Sequence, residues 1–182
     1  ALKDGPPSSV LADGLVGRAA ALRNLGQLDA AAAEARTALD LARRIGYAEG
    51  EARALMELSD ISTYAGQGEE AVAWAVQARQ VPRDRLPAWF ARRVDSTLAW
   101  ALVYNRELDG VPELCEQCLA AARTAGDLSE QADVLCLMAV AARKGGQLTA
   151  ARAWLRESAE LAVYGGYPLR MIDVVEQGGH LC

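Results

Sequence analysis

Gly26-Gln27-Leu28 near the start of the chain returns as Gly146-Gln147-Leu148 near its end, and this recurrence decides the fold. Gly66-Gln67-Gly68 and a degenerate copy, Arg106-Glu107-Leu108, occupy the steps between, so the joint recurs every 40 residues. Other columns keep the same step. Ala19, Ser59, Ala99 and Ala139 precede the joint, while Ala31, Ala71, Val111 and Ala151 follow it. Ala38, Ala78, Cys118 and Ser158 come next, then Gly46, Leu86, Gly126 and Gly166. A fixed period in this range means stacked copies of one supersecondary unit.

Working outward, apolar residues sit at spacings of three and four on both sides of each joint. Leu11, Leu15, Ala19 and Leu22 precede Gly26, and Ala31, Ala35, Ala38 and Leu41 follow it, each set forming one face of a helix. Ser8 or Ser9 can cap the first helix. Asp29 is expected to open the second, with Ser129 and Thr149 capping the two helices of the fourth unit. Val81-Pro82-Arg83-Asp84-Arg85-Leu86-Pro87 is the connector that departs from the glycine pattern, because proline cannot continue a helix but suits the start of one. Two antiparallel helices cannot bury their apolar faces alone, so each pair must stack on a neighbour.

Composition agrees. The chain has 182 residues, 52% apolar and only 5% aromatic, which leaves a core of Ala, Leu and Val. Alanine and the long charged side chains lose little entropy in a helix. The expected fold is all-α, a right-handed α-solenoid of antiparallel helix pairs with about nine helices. Its repeats span about residues 8–46, 47–86, 87–126 and 127–166, with a partial fifth at 167–182, in a single domain.

The spacing small residue, glycine, small residue, small residue resembles the tetratricopeptide repeat (TPR). It reads Ala19–Gly26–Ala31–Ala38, then Ser59–Gly66–Ala71–Ala78, with Ala139–Gly146–Ala151–Ser158 at the far end. The third copy departs from it at Arg106 and Val111. HEAT-type repeats have periods near this length but do not demand that spacing, whereas the usual TPR period is about 34 residues. Ala/Arg-rich repeats ending in Tyr167-Pro168-Leu169-Arg170-Met171-Ile172-Asp173 and Gly179-His180-Leu181-Cys182 further resemble the helical region of actinobacterial LuxR-type and AfsR-like ATPase regulators. That resemblance implies a flanking nucleotide-binding module and often a helix-turn-helix domain, neither of which any residue here supplies. A start at Ala1 without methionine and an end at Cys182 point to a fragment of a longer protein.

In such arrays the first helix of each pair lines the concave face. Matching positions there gives Arg53, Arg93 and Asp133, then Val16, Met56, Ser96 and Cys136, then Ala20, Asp60, Trp100 and Val140. Nearer the helix ends come Arg23, Thr63, Val103 and Arg143, and finally Asn24, Tyr64, Tyr104 and Lys144. Aromatic side chains beside arginines suit a peptide or an acidic ligand. The expected groove residues are Arg53, Met56, Tyr64, Arg93, Trp100, Tyr104 and Arg143. Trp74 and Trp154 share one column of the second helices and read as packing residues. A TPR clamp for a C-terminal carboxylate would need Asn and Lys where Val16, Met56, Asp60 and Trp100 stand.

Other chemistry is weaker. Gly66-Gln67-Gly68-Glu69-Glu70-Ala71 imitates a dinucleotide loop, but a helix precedes it and two glutamates would repel a pyrophosphate. Cys115-Glu116-Gln117-Cys118 places two thiols on one helix face, where cysteine behaves as a small apolar residue; Cys136, His180 and Cys182 could complete a metal set, but a structural zinc site usually takes CxxC from a turn, with a second close pair elsewhere. His180 and Cys182 lie at a chain end that frays, a poor place for a nucleophile and its base. Neither metal nor cofactor is expected, and no enzymatic activity. A net charge of −5 without a basic stripe argues against direct nucleic-acid binding. No apolar run approaches the roughly 20 residues that span a bilayer. Four cysteines in a chain this long fit a reducing cytoplasm better than a disulfide scaffold.

The expected function is therefore a non-catalytic, cytoplasmic module of a bacterial transcriptional regulator that binds a protein, a peptide or a small-molecule effector. The alternatives are a TPR adaptor unrelated to transcription and an oligomerisation scaffold whose ends stack on other copies; a homodimer through Ile172, Val175 and Leu181 would use an apolar edge that a following helix is expected to cover.

Overall fold

The computed structural model describes residues 8–166, and every regular element among them is helical. Eight α-helices follow one another: α1 (Ser9–Asn24), α2 (Leu28–Ile45), α3 (Ala48–Tyr64), α4 (Gly68–Gln80), α5 (Ala88–Tyr104), α6 (Val111–Thr124), α7 (Leu128–Lys144) and α8 (Leu148–Gly165). One 3₁₀ turn, Arg83–Arg85, lies in the proline connector. Residues 167–182, which carry the expected ninth helix, the partial fifth repeat, His180, Cys182 and the apolar edge, fall outside the described residues.

The 40-residue glycine columns are conformational columns. Gly26, Gly66 and Gly146 have φ of 75°, 72° and 77°, and Gly46, Gly126 and Gly166 have 68°, 65° and 68°. In this left-handed region a Cβ would clash with the backbone, so glycine is the natural occupant. The hydrogen bonds explain why the chain needs it there. Gln27 N–H reaches back to the Leu22 carbonyl and Gly26 N–H to Arg23, closing α1 with a Schellman motif. Gln67 with Gly66 closes α3, and Gln147 with Gly146 closes α7, in the same way. Arg106 occupies this column at the end of α5 and keeps both the motif and the geometry, at φ 62°. It is the one non-glycine residue with positive φ among those described.

The small-residue columns are where helices cross. Ala19, Ser59, Ala99, Ala31, Ala71, Ala38 and Ala78 are all buried, as are Ala139, Ala151 and Ser158. Close crossing excludes larger side chains. The two serines in these columns would leave polar atoms in the core, and each hydroxyl donates to a backbone carbonyl of its partner helix. Ser59 reaches Ala71 at 2.9 Å, and Ser158 reaches Ala132 at 2.7 Å.

Several helix starts differ from expectation. Ser8 does cap α1, accepting from Leu11 N–H at 3.2 Å. Asp127, not Ser129, caps α7, accepting from Glu130 N–H at 3.0 Å. Leu28 and Leu148, rather than Asp29 and Thr149, open α2 and α8, each preceded by a glutamine that makes no side-chain cap. Pro87 opens α5 through its carbonyl, which accepts from Phe90 and Ala91, and Pro112 sits in the first turn of α6.

The chain forms two compact units that divide between Ala101 and Leu102. In the first, α1 packs on α2 and α3, α3 on α2 and α4, and the N-terminal part of α5 supplies Phe90, Ala91 and Val94 to the core. Its connector is tied down by polar contacts. Arg79 and Arg83 converge on Asp95 at 2.9 and 2.5 Å, and Arg85 donates to the Gly46 carbonyl at 2.7 Å. In the second unit α7 packs against α6 and α8 and is apolar around most of its circumference, with Val134–Val140 all buried.

Candidate functional site

In the first unit, the side chains of the first helices build a charged cluster over the ends of α1 and α3. Arg23 lies in the last turn of α1, where a cation also meets the negative end of the helix. Its Nε donates to Glu57 Oε1 at 2.7 Å and a terminal nitrogen reaches Oε2 at 3.5 Å, so the pair is forked. The two side chains are only 14% and 9% exposed. The Arg23 guanidinium also lies 5.1 Å from the centre of the Tyr64 ring, which is 65% exposed. Burial alone would discourage its charge, but Glu57, Asp60 and Tyr64 outweigh that and hold it firmly protonated.

Asp60, one turn beyond Glu57, is half-buried. Burial pushes its carboxyl up to about 6; Glu57 adds to the rise, while Arg23 and Arg93 pull against it. Two acids and two arginines from three helices therefore share one region. A second cation–aromatic group lies on the same helices. Arg53 is clamped by Glu49 at 2.5 Å and stands 5.1 Å from the Phe90 ring and 5.9 Å from Trp89, which is 43% exposed.

In the second unit the corresponding joint carries different electrostatics. Lys144, the last residue of α7, donates to the Val103 carbonyl at 2.9 Å and lies 4.9 Å from the Tyr104 ring centre. Val103 is in the last turn of α5, so its carbonyl belongs to the group left unsatisfied at a helix end. The same oxygen accepts from Arg106 N–H at 3.2 Å. Desolvation, then the nearby charges of Arg106 and Arg143, lower the pKa of Lys144.

Of the expected groove residues, Tyr64, Arg93 and Tyr104 are exposed, and Arg53 and Arg143 are half-buried. Met56 is half-buried and packs against the core, and Trp100 is half-buried. The columns chosen alongside them are deeper than a solvent-facing groove requires. Val103, Cys136, Val140 and Ser96 are buried, because these helices bury more than one stripe. Trp74 and Trp154 are half-buried, with Trp74 packed on the core and its indole N–H donating to Glu70.

Sequence reading missed Glu57. The signal lay in a second spacing: Arg23–Glu57, Asp13–Tyr47 and Arg123–Glu157 each pair residues 34 apart, linking one repeat to the next. Cys115 and Cys118 are buried side by side on α6, and burial first, then Cys118 and Glu116, push the Cys115 thiol up to about 12. Such a thiol packs as an apolar group and resists forming the thiolate that a metal or an electrophile needs. No group of His, Cys, Asp and Glu with metal-binding geometry occurs among the described residues. Gly66 of the nucleotide-loop imitation is a helix-closing glycine, and no helix among the described residues is long and apolar enough to cross a membrane.

No family model matches the chain, and no curated protein matches it. Solved structures do. A Podosopora anserina protein described as a kinesin light chain with nearly identical TPR-like repeats superposes with a TM-score of 0.64 at 18% identity. A point variant of it reaches 0.67, also at 18% identity, and both comparisons cover 90% of this chain and 80% of the other. This chain has the TPR-like repeat fold. The fold explains the longer period without a change of plan, since extra residues lengthen helices and leave the small–glycine–small joint intact.

Proposed function

We propose that this TPR-like chain is a non-catalytic binding module of a cytoplasmic bacterial transcriptional regulator, sensing a protein, peptide or small-molecule effector along the face of its first helices. One observation carries the reading. In the first unit, exposed Tyr64 and Trp89 stand beside arginines that acidic partners already hold in place, Arg23 by Glu57 and Arg53 by Glu49. Rigid aromatic surface beside a pre-positioned cation is the composition of binding hot spots, because little entropy remains to be lost on contact. Ligand binding would act by favouring one arrangement of the repeats over another and so biasing a neighbouring domain. The place in a transcriptional regulator rests on the resemblance of the Ala/Arg-rich repeats and the 167–182 segment to LuxR-type and AfsR-like proteins.

Thermal unfolding across a panel of peptides and metabolites tests this, comparing wild type with Tyr64→Ala and Trp89→Ala. A ligand that binds the native state raises the melting temperature by mass action. The expected result is a shift that both variants lose while keeping their unliganded stability. A panel without any shift, together with strong destabilisation by Trp89→Ala, would make that face structural.

A further inference from the structure

The Asp60 carboxylate is half-buried on α3, yet no hydrogen bond or ion pair reaches it among the described residues. A charge drawn out of water in this way is costly unless donors replace the lost waters. The cation alongside is already engaged. Arg23 touches Glu57, one turn before Asp60, and the Tyr64 ring, one turn after it, so its guanidinium lies beside Asp60. Its three nitrogens donate to Glu57 twice and to Asn24 once. Arg23 and Arg93 therefore offset the charge of Asp60 through space without satisfying its oxygens. Asp60 also stands within a stripe. With 3.6 residues per turn, Arg53, Glu57, Asp60 and Tyr64 fall within about 40° of one line along α3, about 16 Å long. Exposed Tyr64 marks one end, and exposed Trp89, 5.9 Å from the Arg53 guanidinium, marks the other. That span equals about five residues of extended chain.

We propose that this stripe takes an extended peptide whose arginine or lysine side chain donates to Asp60, with apolar side chains against Tyr64 and Trp89. This occupant rests on the first unit's face being a binding surface and names what that surface holds. Charge decides between a basic and an acidic peptide. Glu57 and Glu49 already hold Arg23 and Arg53 at 2.7 and 2.5 Å, so a ligand carboxylate would have to displace one of them. Arg93 is exposed, where water solvates its charge and an ion pair gains little. A ligand cation at Asp60 displaces nothing, because the carboxylate keeps its lone pairs and a guanidinium can fill two of them at once. It also offsets the repulsion between Asp60 and Glu57. Asp60 precedes Tyr64 by four residues, about 6 Å along the helix and about two residues of extended chain. Residues two apart in such a chain point the same way, so the basic side chain and the one on Tyr64 reach α3 together.

Fluorescence anisotropy with labelled hexapeptides tests this on the 182-residue chain at constant ionic strength. Each peptide has capped ends, tryptophan first and leucine last, with arginine, glutamine or glutamate third. The arginine peptide should bind about ten-fold tighter than the glutamine peptide, the size of one charge-assisted contact, and the glutamate peptide should bind weakest. Asp60→Asn should erase the arginine preference and melt no lower than wild type at pH 7, which separates lost recognition from lost folding. Tyr64→Ala should weaken all three peptides alike. Equal binding of the arginine and glutamine peptides to wild type would overturn the proposal, as would an arginine preference that survives Asp60→Asn. With Tyr64→Ala still weakening the peptides, either result leaves the face standing as a surface for a different segment. Failure of all three to bind would overturn the basic-peptide assignment, and the thermal-unfolding panel then decides separately whether the face binds a partner.

Discussion

Tyr64 and Tyr104 occupy the same column of successive repeats, and each has a cation over its ring. The Arg23 cation beside Tyr64 is neutralised by Glu57 in a forked, mostly buried pair. The Lys144 cation beside Tyr104 instead donates to the Val103 carbonyl, with no carboxylate in that contact. One local design therefore serves two purposes. In the first unit the charges hold α1 to α3 and leave an aromatic surface; in the second the ammonium ties the end of α7 to the end of α5. A repeat fixes where side chains go, and the sign of the neighbours decides what they do there.

Removing Glu57 should have the largest effect on that contrast. Glu57→Gln leaves Arg23 desolvated beside a neutral amide, and breaking a pair of this burial should cost about 3 kcal/mol in urea unfolding. A loss under about 0.5 kcal/mol, the size of an exposed pair, would mean that the α1–α3 junction does not depend on it. Asp60 offers a subtler probe. Its folded pKa is raised to about 6, so the folded state holds the proton more tightly than the unfolded state. Its contribution is most favourable below the ordinary aspartate range and is lost as pH rises through about 6. Asp60→Asn, which cannot titrate, should gain on wild type across that interval by up to about 3 kcal/mol and then hold level. A stability difference that stays flat from pH 4 to 8 would contradict the burial of that carboxyl.

The smallest effects come from exchanging the joint residues themselves. Gly66→Arg should destabilise by about 1 kcal/mol, since it forces a side chain into the left-handed turn. Arg106→Gly should stabilise by up to about 1 kcal/mol, reduced by the freedom that glycine adds to the unfolded chain. Differential scanning calorimetry on the two variants would separate these signs; equal responses would mean that Arg106 carries no strain.

Much of the fold is legible in the sequence. Glycine at residues 26, 66 and 146 announced positive φ because few other residues tolerate it, and alanine or serine at 19, 59 and 139 announced close helix crossings because nothing larger fits. Local sterics of this sort are written one residue at a time, which is why Ser8 was also readable as a cap. Asp127 and Ser129 show where that ends. Both could cap a helix, and only the path of the chain out of Gly126 chose between them.

The face of the first helices was legible only in part. Counting columns aligns Arg53 with Arg93 and Tyr64 with Tyr104, but it cannot supply the partner of any of them. Glu57 looked like one more helix surface acid until α1 lay against α3. Val103 and Cys136, counted along the same face, proved buried, because the depth of a position depends on how many neighbours its helix has.

What the sequence determined by itself was the period, the all-helical class and the left-handed joints, since all three follow from the conformational limits of glycine and alanine within one repeat. Tertiary structure alone decided that Arg23 is paired, that Asp60 is hard to ionise and that Lys144 shares a carbonyl with Arg106. Those outcomes depend on distances between helices and on the water removed when they pack, and neither is encoded in the order of residues along one helix.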